Sequence, residues 1–216
     1  MFLASNLNAR FDAKSYSEDG LLIQFSTESI FGNQYPVFRA HFVAVNRFSF
    51  PHDSNSVLLP GKTEGLFIAG NWAHNLPVGE IEYMAHSVGK DSYLRTVYTL
   101  DIPKEINLRA GLTVHEGRGT WSSYPMHTFE EGALISPASS YPDFRELFAV
   151  VTDPPNGWGI QVVSSREDRT VRPFVDRDIL DIPISFHPVV GEPKTRIAYF
   201  WAYTSGGEKF TAEGRV

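Results

Sequence analysis

Apolar positions along this chain fall in short runs that alternate with polar residues, and none of them keeps a helical period for long. "GLLIQF", "VFRAHFVAV", "GLFIAG", "EIEYMAHSV", "SYLRTVYTL", "GLTVHEG", "FRELFAVV", "WGIQVVSS" and "RIAYFWAYT" are the clearest. Clusters such as "FPHDSN", "PGKTEG" and "TDPPNG" separate them, within a total of 17 glycines and 14 prolines. Short strands at this spacing, punctuated by turn residues, predict an all-β sandwich or barrel. The one place for a short helix is "MFLASNLNARF", which lacks a cap. A polar segment at residues 100–111, "LDIPKEINLRAG", puts Pro103 between two strand runs and marks the expected boundary. The expected division is therefore an N-terminal β region at 1–104 and a C-terminal barrel at 105–216.

Composition narrows the function. With 216 residues, 42% hydrophobic and 13% aromatic, the chain can bury one large core or two small barrels. A net charge of −6 and the lack of any Lys/Arg-rich run argue against nucleic acid as a partner. Cysteine is absent, so thiolate chemistry and disulfides are excluded, and any metal must be held by nitrogen and oxygen. The N-terminal apolar run is too short for a signal peptide and no stretch is long enough to span a membrane. The expectation is a soluble, cytoplasmic protein with no membrane contact.

Chemistry concentrates in the second half. Residues two apart share a face of a strand, so Trp121, Ser123, Pro125, His127 and Phe129 would lie together, as would Phe144, Glu146, Phe148 and Val150. Glu146 is then a lone carboxylate among aromatic and aliphatic neighbours, costly to bury unless a cation, a metal or a hydrogen bond meets it. His187 follows a proline-marked turn in "DIPISFHPVV". Two histidines and a carboxylate from three strands suit Fe, Mn, Zn or Ni. On the residues alone, the plainer reading leads: Glu146 pairs with an arginine such as Arg145 at an edge, and His127 is a hydrogen-bonded core residue.

The phrase "GTWSSYPMH" at 119–127 resembles the signature of the cupin family that contains 5-deoxy-glucuronate isomerase and, more distantly, 5-keto-4-deoxyuronate isomerase. "RELFAVVTDPPNGWGIQVV" is similar to that family's ligand-glutamate strand and the hairpin after it. "VDRDILDIPISFHPVV" resembles the segment with the last ligand histidine, and "AYFWAYTSGGEKF" the closing strand. The resemblance covers about residues 93–210. It implies a jelly-roll (double-stranded β-helix) barrel in a bicupin-like arrangement with a reduced N-terminal half. It also carries metal-ligand roles onto His127, Glu146 and His187.

The reaction the resemblance implies is an intramolecular oxidoreduction, the aldose–ketose isomerisation of a uronic-acid-derived sugar in inositol breakdown. A divalent metal (Zn, Mn, Fe or Ni) would polarise the carbonyl oxygen. The partner is then a small sugar acid, and a homodimer through sheet edges is a further expectation of the resemblance. Two departures stand out: Phe129 occupies the place of the second histidine of a His–x–His pair, and Ser185 stands where the family has glycine. The loop between His127 and Glu146 is also long. A weak or absent metal would leave a non-catalytic cupin that binds a carbohydrate or a partner protein. No general base can be assigned among Tyr124, Glu130, Glu131 and His115, which lie near the signature. Arg145, Arg172 and Arg196 are candidates for holding a carboxylate, and equally ordinary surface residues.

His41, His52, His74 and His86 match no ligand pattern. Glu80, Glu82 and His86 would share a strand face, which an exposed polar surface also explains. Trp72, Trp158 and Trp201 can stack on a sugar or pack in a core.

Overall fold

The computed structural model describes residues 3–4, 20–43, 64–69, 79–106, 108–122, 145–164, 169–182 and 187–204. Packing divides the chain into two compact units, Met1–Glu82 and Tyr83–Val216. This boundary falls earlier than the proline-containing segment at 100–111, because the strand before that segment pairs with the strand after it.

The first unit holds one antiparallel sheet of strands β1 (Leu3–Ala4), β2 (Gly20–Phe25), β3 (Arg39–Val43), β4 (Glu64–Ala69) and β5 (Gly79–Ile81), in the order β1-β4-β2-β3-β5. β2 is central and buried along its whole length, so "GLLIQF" is apolar on both faces except at Gln24, itself buried. A single-turn helix α1 (Thr27–Phe31) follows it. The Ser26 hydroxyl accepts from the Ser29 amide at 3.0 Å, and the Ser29 hydroxyl accepts from the Ser26 amide at 2.8 Å. This reciprocal cap satisfies two donors that a helix start leaves open.

The second unit contains strands β6 (Tyr83–Val88), β7 (Arg95–Leu100), β8 (Arg109–His115), β9 (Trp121–Ser122), β10 (Arg145–Asp153), β11 (Trp158–Ser164), β12 (Arg169–Val175), β13 (Ile179–Ile182), β14 (Val189–Gly191) and β15 (Arg196–Thr204). They form a six-stranded sheet, β13-β10-β15-β8-β7-β6, and a four-stranded sheet, β12-β11-β14-β9, with every pairing antiparallel. One core cluster joins Phe148, Val150, Ile182, Ile197 and Tyr199 of the larger sheet to Phe174 and Val189 of the smaller. The two sheets therefore face each other across a shared interior, as in a jelly roll. At the far edge of the larger sheet β6 is mostly exposed.

Candidate functional site

Period-2 alternation on β10 turns Glu146, Phe148, Val150 and Thr152 to one face, and Phe148 and Val150 fix that face as the interior. Glu146 sits between Ile182 of β13 and Tyr203 of β15 and is 5% exposed. From the opposite sheet, His187 just before β14 places its Nε2 3.5 Å from Glu146 Oε2. That separation is too long for a strong hydrogen bond. Oε2 of Glu146 has no hydrogen-bond partner among the described residues. Burial raises the Glu146 carboxyl well above its ordinary range, to about 8.

Aromatic packing fixes the pair. Phe148 stacks on Tyr199 with centroids 4.2 Å apart and meets the His187 ring edge-on at 5.8 Å. The Tyr199 hydroxyl shares a short hydrogen bond with Ser122 of β9, tying the two sheets together. Burial raises the Tyr199 phenol.

The signature enters the barrel here. Gly119 has φ +64° and a Cβ on it would stand 3.0 Å from Pro193 Cα, so glycine is required at that turn. Arg118 clamps the turn by donating to the carbonyls of Asp153 and Lys194, each at 2.6 Å, and to the Asp153 carboxylate at 2.6 Å. Ser122 pairs with Val189 and is buried, while Trp121 is 36% exposed. The inward face at this point is thus that of Ser122; the other residues expected to share the face of Trp121, from Ser123 to Phe129, lie outside the described residues. His127 and Phe129 lie outside the described residues, as does Ser185. Of the sequence-predicted ligand set, Glu146 and His187 are brought together. Among the described residues no third His, Asp or Glu joins them.

His115, at the end of β8, is fully buried. Its Nδ1 lies 2.9 Å from the Thr120 carbonyl and 3.0 Å from the Thr120 hydroxyl, and its ring meets Tyr199 edge-on at 6.1 Å. Burial pushes its pKa down to about 3; the Thr120 hydrogen bond opposes that shift, and the Arg95 and Arg196 charges add to it. It is therefore a neutral imidazole at ordinary pH, not a cation. Arg95 is its cross-strand partner, only 2% exposed, and its Nη1 donates to the Tyr93 carbonyl at 3.2 Å.

Two candidate carboxylate-binding arginines have structural partners instead. Arg196 Nε donates to the His115 carbonyl at 2.7 Å, and the exposed Arg172 donates to the Asp181 carbonyl at 3.0 Å. The side chain of Arg145 lies outside the described residues. Glu80 and His86 sit on different strands, β5 and β6, and Glu80 faces Arg39 at 3.7 Å, so no single strand presents them together. Trp201 stacks on Tyr203 and packs against the core, and Trp158 is 51% exposed. Sequence reasoning missed Arg95 and Gln161. Gln161 is fully buried on β11 with neither amide atom hydrogen-bonded among the described residues. The signal for both was a long polar side chain inside a strand run.

Two antiparallel sheets closed over a buried acid–imidazole pair define an all-β cupin. An IolB-like protein from Salmonella typhimurium LT2 superposes with a TM-score of 0.60 over 100% of this chain and 83% of its own, at 14% identity. A cupin-2 domain from Rhodospirillum rubrum aligns at TM-score 0.40 over 62% of this chain and 76% of its own, at 12% identity.

The sequence profile of the KduI/IolB family matches residues 74–211, and the chain belongs to that family. A protein of Bacillus velezensis (strain DSM 23117 / BGSC 10A6 / LMG 26770 / FZB42) named 5-deoxy-glucuronate isomerase is 30% identical over 141 residues, 62% of this chain. The chain spans about half, 50%, of that curated relative's length. Among the described residues no helix is long and apolar enough to cross a membrane.

Proposed function

We propose that the barrel of the second unit is the site of a metal-assisted aldose–ketose isomerase acting on a uronic-acid-derived sugar, of the 5-deoxy-glucuronate isomerase type. The observation that carries this reading is the meeting of Glu146 and His187 inside the barrel of a KduI/IolB-family chain. Two donor atoms, each about 2.1 Å from a tetrahedral ion, stand about 3.4 Å apart. The observed 3.5 Å therefore fits a shared ion. So does the Glu146 oxygen, an acceptor with no protein hydrogen bond among the described residues. His127 is the proposed third ligand, by its place after the signature.

A divalent ion held there supplies Lewis acidity to a hydroxy-carbonyl pair. The chain's own contribution is to exclude water from the interior and to keep both donors in place through the Phe148–Tyr199 stack. In the isomerisation, the carbon beside the carbonyl loses a proton, and the former carbonyl carbon gains one. His115, held neutral by burial, is not an imidazolium donor for that exchange at ordinary pH.

Phe129, where the family pattern has histidine, motivates a second reading: a cupin that binds a carbohydrate or a partner protein without turning it over. Metal content and isomerase activity of the full chain, stripped and then reloaded with Mn, Fe, Ni or Zn, separate the two. Stoichiometric uptake with restored conversion of 5-deoxy-glucuronate is the expected result. Absence of uptake for all four metals would sink the enzymatic reading.

A further inference from the structure

Gln161 lies near the middle of β11, paired to Val189 of β14 on one side and to Arg172 of β12 on the other. Along β11, Gly159, Gln161 and Val163 are buried, whereas Trp158 is exposed and Ile160 and Val162 are half-buried. Val189, its cross-strand neighbour, belongs to the interior cluster with Phe148 and Tyr199, so the Gln161 side chain occupies the inner face. It is 0% exposed. A primary amide offers two donors and two acceptor lone pairs, and here neither Oε1 nor Nε2 meets a partner among the described residues.

Such burial is expensive, and a valine or methionine would fill the place at no polar cost. The amide also does nothing for the sheet, whose ladder uses only backbone groups. Its neighbourhood explains it better. The Val162 amide donates to the Pro188 carbonyl at 2.9 Å, which continues the β11–β14 register and sets Val163 opposite His187. Gln161 is then the diagonal inward neighbour of His187, about 7–8 Å away between Cα atoms, within reach of a long side chain. Glu146 approaches the same imidazole from the other sheet.

We propose that Gln161 is a substrate-binding residue of this chamber. Its amide N–H donates a hydrogen bond to one oxygen, and its carbonyl accepts one from the neighbouring hydroxyl, of a hydroxy-carbonyl sugar acid held beside Glu146 and His187. This deepens the isomerase reading and rests on it. Gln161 needs no ion for that role, and its test is separable from metal chemistry.

The experiment uses the full chain, with Gln161→Met as a shape-matched variant lacking hydrogen-bonding groups and Gln161→Glu as one that keeps acceptor oxygens. Thermal melting, Zn uptake and the affinity for D-glucuronate, by titration calorimetry, are measured for each. Gln161→Met is expected to melt at or above the wild type, to take up Zn equally, and to bind D-glucuronate roughly ten- to a hundredfold more weakly. Gln161→Glu should fall between the two in D-glucuronate affinity. If Gln161→Met melts several degrees lower with unchanged D-glucuronate affinity, the amide is a structural group and the assignment is overturned. Equal binding by wild type and Gln161→Met at equal stability overturns it as well, leaving the isomerase reading intact. A wild type that binds no D-glucuronate removes the isomerase reading itself, and the role of Gln161 with it.

Discussion

Replacing Glu146 by glutamine tests the buried carboxyl directly, because the amide imitates the protonated acid in shape and charge. In the folded chain the Glu146 carboxyl is raised from 4.5 to about 8 by burial. A raised acid contributes stability that is fully present below the unfolded value, near 4.5, and is lost as pH rises through 8. A tenfold change in an ionisation constant corresponds to about 1.4 kcal/mol. The metal-free wild type should therefore lose roughly 2 to 3 kcal/mol relative to Glu146→Gln between pH 5 and 7, and about 4 kcal/mol by pH 9. Urea unfolding in the presence of a chelator, run on both proteins at pH 5, 7 and 9, measures the difference. Saturating Zn should flatten the slope, since a bound cation favours the ionised carboxylate and offsets its desolvation. A wild-type-minus-variant difference that stays constant across this range would refute the reasoning, showing that the acid meets water or a cation already in the metal-free chain.

The other predictions concern the rest of the barrel. His115, with its pKa lowered from 6.5 to about 3, contributes stability above 6.5 that is lost as pH falls. Relative to His115→Asn, the wild type should lose about 2 kcal/mol between pH 7.5 and 5, and parallel curves would mean that the imidazole is already charged or solvated. Because this acts against the Glu146 effect in the same window, only differences between variants isolate either group. A methyl group on Gly111 would run into the Tyr98 carbonyl and stand 2.5 Å from Trp201 Cζ2. Gly111→Ala should therefore cost about 2 to 3 kcal/mol, and a melting temperature unchanged from wild type would count against the packing of Trp201 over β8. Phe129→His restores the family's histidine pair and should strengthen Zn retention against a competing chelator. Unfolding without a gain in retention would mean that the ring is core and the signature's register is misplaced.

The strands were legible because alternation and turn residues are local. β2, β10, β11 and β15 coincide with the runs "GLLIQF", "FRELFAVV", "WGIQVVSS" and "RIAYFWAYT". α1 was not legible. Five residues are too few to show a helical period, and its cap uses serine at both places instead of a glutamate partner. The isolated carboxylate at Glu146 could be flagged from its neighbours, but its meeting with His187 depends on two sheets closing over each other. At β9 it is Ser122 that is buried and Trp121 that is exposed. Burying the large aromatic is the local choice, yet Ser122 is turned inward by Tyr199, 77 residues away.

β11 shows the same conflict at its sharpest. Hydrophobicity alone would send Trp158, Ile160 and Val162 to the interior. The fold instead buries Gly159, Gln161 and Val163, and a Cβ on Gly159 would strike both Phe174 and the Val190 carbonyl. Glycine is thus required on the inner side, where Phe174 crosses β11, and once that residue faces in, alternation carries Gln161 in with it. The close approach at Gly159 dictates the face but not the identity of residue 161, which any apolar side chain of similar length would satisfy at lower cost. The binding role proposed for Gln161 accounts for an amide there, one diagonal step from His187, where the packing of the described residues does not.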